Sequence, residues 1–177
     1  MVISIYGGSG SGKTTLATAL QQYFFNDGRG CYLLSGDDYP HRIPKRNDEE
    51  QLRVYKEAGE DGLRGYLGTK KEIDFARINE VLAAFHEGKD TITLRHLERE
   101  DGEISSEETD FSGTSVLLLE WTHGGSDDLH GVDLSVFLES SPEETKERRI
   151  RRNRDENAAS PFICRACTIP ISTGDFP

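Results

Sequence analysis

The chain has little of what several protein classes require. It holds only three cysteines, Cys31, Cys164 and Cys167, in 177 residues. That is too few for a disulfide scaffold, and an odd number suits a reducing compartment. No apolar stretch approaches the roughly 20 residues that span a bilayer. The opening apolar run, 2–6, is too short for a secretory h-region and has no basic segment ahead of it. Basic charge is scarce: 21 Lys and Arg stand against 32 Asp and Glu, a net charge of −11. A nucleic-acid duplex would repel such a surface, so no nucleic-acid partner is expected. No internal repeat is visible, and no linker separates two domains. These absences leave the expectation of a cytoplasmic protein with no membrane partner, built as a single domain over 1–177 with an atypical tail at 157–177. A homo-oligomer is compatible with all of this.

What is present is an alternation. Residues 2–6 (VISIY) form a β-branched run that predicts a buried strand, as do 31–35, 115–121 and 133–139. Residues 91–97 alternate as a strand. Helices are predicted over 13–25, with Leu16, Ala17, Leu20, Tyr23 and Phe24 on the apolar side, and over 74–85, with Ile78, Val81, Leu82 and Phe85 at helical spacing. A third begins at Ser141, whose spacing to Glu144 is that of a capping box with Pro142 at the first helical position, and runs to about Asn153. The acidic stretch 98–110 reads as an exposed loop or hairpin tip. Short buried strands alternating with helices imply an α/β fold of three layers, a parallel central sheet with helices on both faces.

Between the first strand and the first helix stands GGSGSGKT, 7–14, which fits the P-loop pattern Gly-x4-Gly-Lys-Thr in the right context. Glycines let the backbone curl around an anion with no Cβ in the way, so that amide N–H groups point inward as a nest for phosphate oxygens. The helix behind contributes unpaired N–H groups and its positive dipole end. Gly8, Ser9, Gly10, Ser11, Gly12, Lys13, Thr14 and Thr15 are therefore the expected ATP-binding residues. Lys13 would reach the β and γ phosphates, and the Thr14 hydroxyl would ligate Mg2+. The base-reading Asn-Lys-x-Asp of GTPases is absent, and Asp110-Phe111-Ser112-Gly113 precedes a strand instead of following one. A small P-loop domain of this length suits a kinase acting on a small molecule.

After the second strand come Asp37, Asp38 and Tyr39. Acids at the carboxyl end of a parallel strand lie where ligands bind in open α/β sheets. A phosphoryl-acceptor hydroxyl needs a carboxylate to orient it and take its proton, and either Asp37 or Asp38 could do so. His41, Arg42, Lys45 and Arg46 follow as a basic cluster, either a grip for a phosphate already on the acceptor or an exposed basic loop.

The strand–P-loop–helix unit, LSGDDY at 34–39, the segment 79–94, SVLLLEW at 115–121 and the Arg-rich stretch up to 152 together resemble the uridine kinase and phosphoribulokinase superfamily over roughly residues 2–155. That resemblance implies phosphotransfer from Mg-ATP to a hydroxyl of a small metabolite. It places Asp37 as catalytic base and Glu120 as the acid near the metal, and it implies arginines of 146–154 as a lid over the ATP phosphates. Glu144–Arg148 and Glu147–Arg151 have the i,i+4 order of helix ion pairs. Arg149, Arg152 and Arg154 have no such acid behind them and are the expected lid. The Tyr-Asp pair with which uridine kinases read their base is missing: the corresponding residues include Arg95 and His96. A nucleoside-, sugar- or sugar-phosphate-like acceptor is expected, with Tyr39, His41, Arg42, Arg95 and Trp121 as its binding residues and His123 beside them. Cys164 and Cys167 form a single pair without a second half, a weak zinc signal. The alternative function is an ATP-binding regulatory module without phosphotransfer.

Overall fold

The computed structural model describes residues 1–97 and 103–151. The chain runs β1 (Val2–Gly7), α1 (Lys13–Asn26), β2 (Gly30–Ser35), a 3-10 turn (Gly36–Asp38), α2 (Pro44–Arg64), α3 (Phe75–His86), β3 (Thr91–Leu97), β4 (Ile104–Asp110), β5 (Thr114–Trp121), β6 (Leu134–Leu138) and α4 (Pro142–Arg151). β2, β5, β1 and β6 form a sheet in that order, parallel throughout. The expected parallel α/β architecture is the one found. Among the described residues no helix is long and apolar enough to cross a membrane.

The pleat of β5 sorts the core into two layers, because successive side chains point to opposite faces. Val116 and Leu118 join Ile3, Ile5, Ala17 and Phe24 under α1. Leu117 and Leu119 join Val2, Ile78, Val81, Leu82, Ile92 and Leu94 on the other face. Helices therefore cover both faces. β5 is apolar on both sides, as a strand interior to a parallel sheet must be.

Two elements depart from expectation. β3 does not join the parallel sheet: it pairs antiparallel with β4, from Thr91 opposite Asp110 to Leu97 opposite Ile104. The acidic stretch is thus in part a strand, since β4 carries its acids on an edge that faces water. The second departure is α2, which the apolar periodicity did not announce because only Leu63 of its 21 residues is buried. Its sequence signals are Pro44 at the first turn and charge pairs. Arg53 bonds Glu50 and Glu57 at 2.7 and 2.6 Å, and Arg64 bonds Glu60 at 3.3 Å. Gly59, at φ 66°, breaks the helical path within it.

Buried charges tie the connecting segments to this frame. Arg95 of β3, 8% exposed, donates to the Pro40 carbonyl at 2.5 Å and to Asp74 at 3.4 Å. Asp74 in turn caps α3 by accepting from the Arg77 amide at 3.1 Å. Glu72, 7% exposed, accepts from Asn47 and Gln51 of α2 on one oxygen, both at 2.9 Å, and from the Gly68 amide on the other at 2.6 Å. A charge is tolerated at such depth only when it is paired and hydrogen-bonded.

Two stability measurements check this frame. Leu118→Ala should lower the urea unfolding free energy by about 3 kcal/mol, the ordinary cost of a core Leu truncation; a loss under about 1 kcal/mol would mean that the layer under α1 is not packed as described. Arg95→Met should cost about 1–3 kcal/mol, because it strands the Pro40 carbonyl and Asp74, and should raise protease cleavage around 36–43. An unchanged cleavage pattern would show that Arg95 does not hold that segment.

Candidate active site

The P-loop begins where β1 ends. Gly12 takes the left-handed φ of 100°, and α1 starts at Lys13 with no side chain capping it. The first-turn amides are thereby left to an anion. The loop is closed by the Ser11 amide donating to Gly8 O at 3.1 Å. The Ser11 hydroxyl is buried with no hydrogen-bond partner among the described residues. Lys13 is 8% exposed and folds back beneath the loop, its ammonium donating to the carbonyls of Gly7 and Gly8 at 3.0 Å each. Inward amides, an orphaned hydroxyl and a buried ammonium together fit a polyphosphate tail.

β5 lies between β1 and β2, so its carboxyl end sits between the P-loop and the acidic turn. Glu120 is level with Ile5 of β1 on one side and Ser35 of β2 on the other. The Thr14 hydroxyl donates to Glu120 Oε1 at 3.1 Å. The two residues expected to serve a metal thus touch. Among the described residues no cluster of three or more His, Cys, Asp or Glu forms a metal cage. This donor set fits Mg2+, which takes one or two protein oxygens and fills its shell with phosphate and water.

The 3-10 turn after β2 separates its two acids, since neighbours on such a helix point about 120° apart. Asp37 is exposed and Asp38 half-buried. The charge of Asp37 acts on His123, as does that of Lys13. The charge of Asp38 acts on Tyr32 and Tyr39. The more exposed Asp37 is the acid more open to an acceptor.

The other expected acceptor residues are placed differently. Tyr39 and Trp121 are 0% and 2% exposed and belong to the core. Trp121 stacks near Phe75 at 5.5 Å and lies against Gly36, supporting the acidic turn from beneath. Burial, with the nearby charge of Asp38, pushes the Tyr39 phenol up to about 12. Arg95 is the buried anchor described above. His41 meets Lys70 O at 3.0 Å, and Arg42 donates to Tyr66 at 3.2 Å and to Lys71 O at 3.1 Å. His41, Arg42 and Arg95 are thus held by the protein, while Lys45 and Arg46 are exposed.

α4 opens with the expected capping box: the Glu144 amide donates to the Ser141 hydroxyl at 3.2 Å and the Ser141 amide to Glu144 at 3.4 Å. Because Glu144 is used there, Arg148 turns to the P-loop and donates to Gly10 O at 3.3 Å and to the Ser140 hydroxyl at 3.4 Å. This corrects the i,i+4 reading of Arg148. The side chain of Arg149, and Arg152, Arg154, Cys164 and Cys167 altogether, lie outside the described residues. Sequence reasoning also missed Glu72, whose only signal was an acid in a turn-rich segment, and could not have foreseen that it is buried.

Known proteins share both sequence and fold with this chain. It is 91% identical over 165 residues, 93% of its length, to the bifunctional alpha-galactosidase/sucrose kinase AgaSK of Mediterraneibacter gnavus. The match spans only 18% of that relative. A 42-residue segment is 52% identical to adenylyl-sulfate kinase 1 of Arabidopsis thaliana, 24% of this chain and 15% of the other. Among solved structures, phosphoribulokinase from Rhodobacter spheroides matches with a TM-score of 0.65 at 18% identity, over 86% of this chain and 56% of that one. A protein described as a possible uridine kinase from Bacillus stearothermophilus matches at 0.63 and 19% identity, over 90% and 82%. These two likenesses are of fold. The family model of the Phosphoribulokinase / Uridine kinase family matches residues 2–160, and the chain belongs to that family.

Proposed function

We propose that the chain is an ATP-dependent kinase that phosphorylates a hydroxyl of a neutral sugar. The observation that carries this reading is the hydrogen bond from Thr14 to Glu120, which joins the phosphate loop to the strand tip beside Asp37. The acceptor is read as neutral because three of the five basic groups that could grip a phosphate on it, His41, Arg42 and Arg95, are held by Lys70 O, by Tyr66 and Lys71 O, and by Pro40 O and Asp74; the other two, Lys45 and Arg46, lie exposed at the start of α2. The sucrose kinase named in the 91%-identical relative supports the same class, and sucrose is the first acceptor to test.

In this mechanism the P-loop amides and Lys13 hold the ATP phosphates, the ammonium exchanging the Gly7 and Gly8 carbonyls for phosphate oxygens. Asp37 orients the acceptor hydroxyl and takes its proton as the oxygen attacks the γ-phosphorus; the bond to the β-phosphate oxygen breaks, leaving ADP and a sugar phosphate. Mg2+, when held by Thr14 and Glu120, supplies positive charge against the developing negative charge on the phosphates. Arg148 adds a guanidinium beside the loop. On the strength of the resemblance, Arg149 and Arg152 complete the lid. Asp38 supports the turn and takes no proton.

Lys13→Ala should lower kcat/KM for ATP at least 100-fold, about 2.7 kcal/mol of transition-state stabilisation. Asp37→Asn should lose about 10²–10⁴ in kcat while magnesium–nucleotide binding, followed by calorimetry, persists. Full turnover in Asp37→Asn would remove it as the base. Nucleotide binding by the wild type without transfer to sucrose or any other sugar would favour the regulatory module. Arg148→Ala should raise the KM for ATP several-fold with little change in unfolding midpoint; an unchanged KM would return Arg148 to a purely structural role.

A further inference from the structure

If Asp37 receives the reacting proton, as proposed above, a second group has to fix which hydroxyl lies against it. The neighbouring side chains are mostly spent. Lys13, Thr14 and Glu120 serve the phosphate side, and both oxygens of Glu72 already accept hydrogen bonds. His123 is different. It follows β5 by two residues, in a turn pinned at its main chain: His123 O accepts from the Ser126 amide at 3.0 Å, and Gly124 O accepts from the buried Ser4 hydroxyl at 2.7 Å.

The ring itself is held by shape. One side meets the Trp121 indole edge-on, centroids 5.6 Å apart at 86°. The other meets the backbone of Gly68, where a Cβ would lie 2.6 Å from His123 Nδ1 and 2.8 Å from Cε1. A side chain at 68 would therefore push the imidazole out of place. Gly68 is itself fixed through its amide on Glu72. Trp121, which the ring meets, lies against Gly36 directly before Asp37, and Gly68, on its other side, is bonded to Glu72, so the ring stands between the acidic turn and the buried acid; the charges of Glu72, Asp37 and Lys13 act on it. Neither ring nitrogen has a hydrogen-bond partner among the described residues. Burial holds the imidazolium down, so the ring is neutral at pH 7, with one donor and one acceptor nitrogen. A polyol hydroxyl both donates and accepts, and such a ring matches it.

We infer that His123 is an acceptor-binding residue, its imidazole holding a sugar hydroxyl next to the one that Asp37 deprotonates, with the ring seated against Gly68, a position whose φ of 71° already calls for glycine. The site then selects neutral acceptors with neighbouring hydroxyls.

The experiment measures steady-state kinetics on the full chain with sucrose as acceptor. His123→Leu should raise the acceptor KM at least tenfold and leave the KM for ATP within twofold. His123→Gln, which keeps a donor and an acceptor, should recover part of the loss. Trp121 is the single tryptophan of the chain, so sucrose titrated without ATP should change its fluorescence in the wild type and not in His123→Leu. An unchanged acceptor KM in His123→Leu, or in His123→Phe should the Leu variant fail to fold, overturns this inference and leaves the kinase reading standing. A wild type that transfers phosphate to no sugar sinks the kinase reading, and this inference with it.

Discussion

The arrangement depends on one constraint, the position of β5 between β1 and β2. Parallel neighbours lie about 4.8 Å apart, so a residue at the tip of the middle strand is within side-chain reach of whatever follows both flanking strands. β1 is followed by the P-loop and β2 by the acidic turn. Glu120 occupies that middle tip, and its contact with Thr14 joins the phosphate side to the acidic side. Moving Glu120 one residue along the strand would turn its carboxylate to the other face of the sheet.

Around that centre, three buried charges each secure one connecting segment by bonding main-chain atoms. Lys13 holds the carbonyls of Gly7 and Gly8, Arg95 holds that of Pro40, and Glu72 holds the amide of Gly68. Backbone partners suit this work, because each hydrogen bond to a main-chain atom offsets part of the cost of taking the ion out of water. The loops around the site are thereby fixed without a large apolar interface of their own. The same use of charge takes up His41 and Arg42 after the acidic turn, which bond main-chain carbonyls and Tyr66.

Much of this was legible in the residues. β1, β5, α1 and α3 follow from dense apolar patterning, because β1 and β5 contribute to both core layers and α1 and α3 to one each. The P-loop follows from spacing, since its function is carried by backbone and by residues adjacent in sequence. α2 was not legible, because charge pairs on its own surface do for it what burial does for the others. The partner of β3 was hidden for a related reason: alternation predicts a strand but not the sheet it joins.

The sequence by itself determined the phosphate loop and the parallel α/β frame, which rest on local spacing and on apolar period. Tertiary structure alone decided that Arg148 turns to Gly10 instead of Glu144, that Trp121 and Tyr39 are core, that Arg95 anchors the Pro40 carbonyl, and that Glu72 is buried. Each of these rests on contacts between residues far apart in the chain. Such outcomes depend on competition among partners in space, which no one-dimensional spacing records.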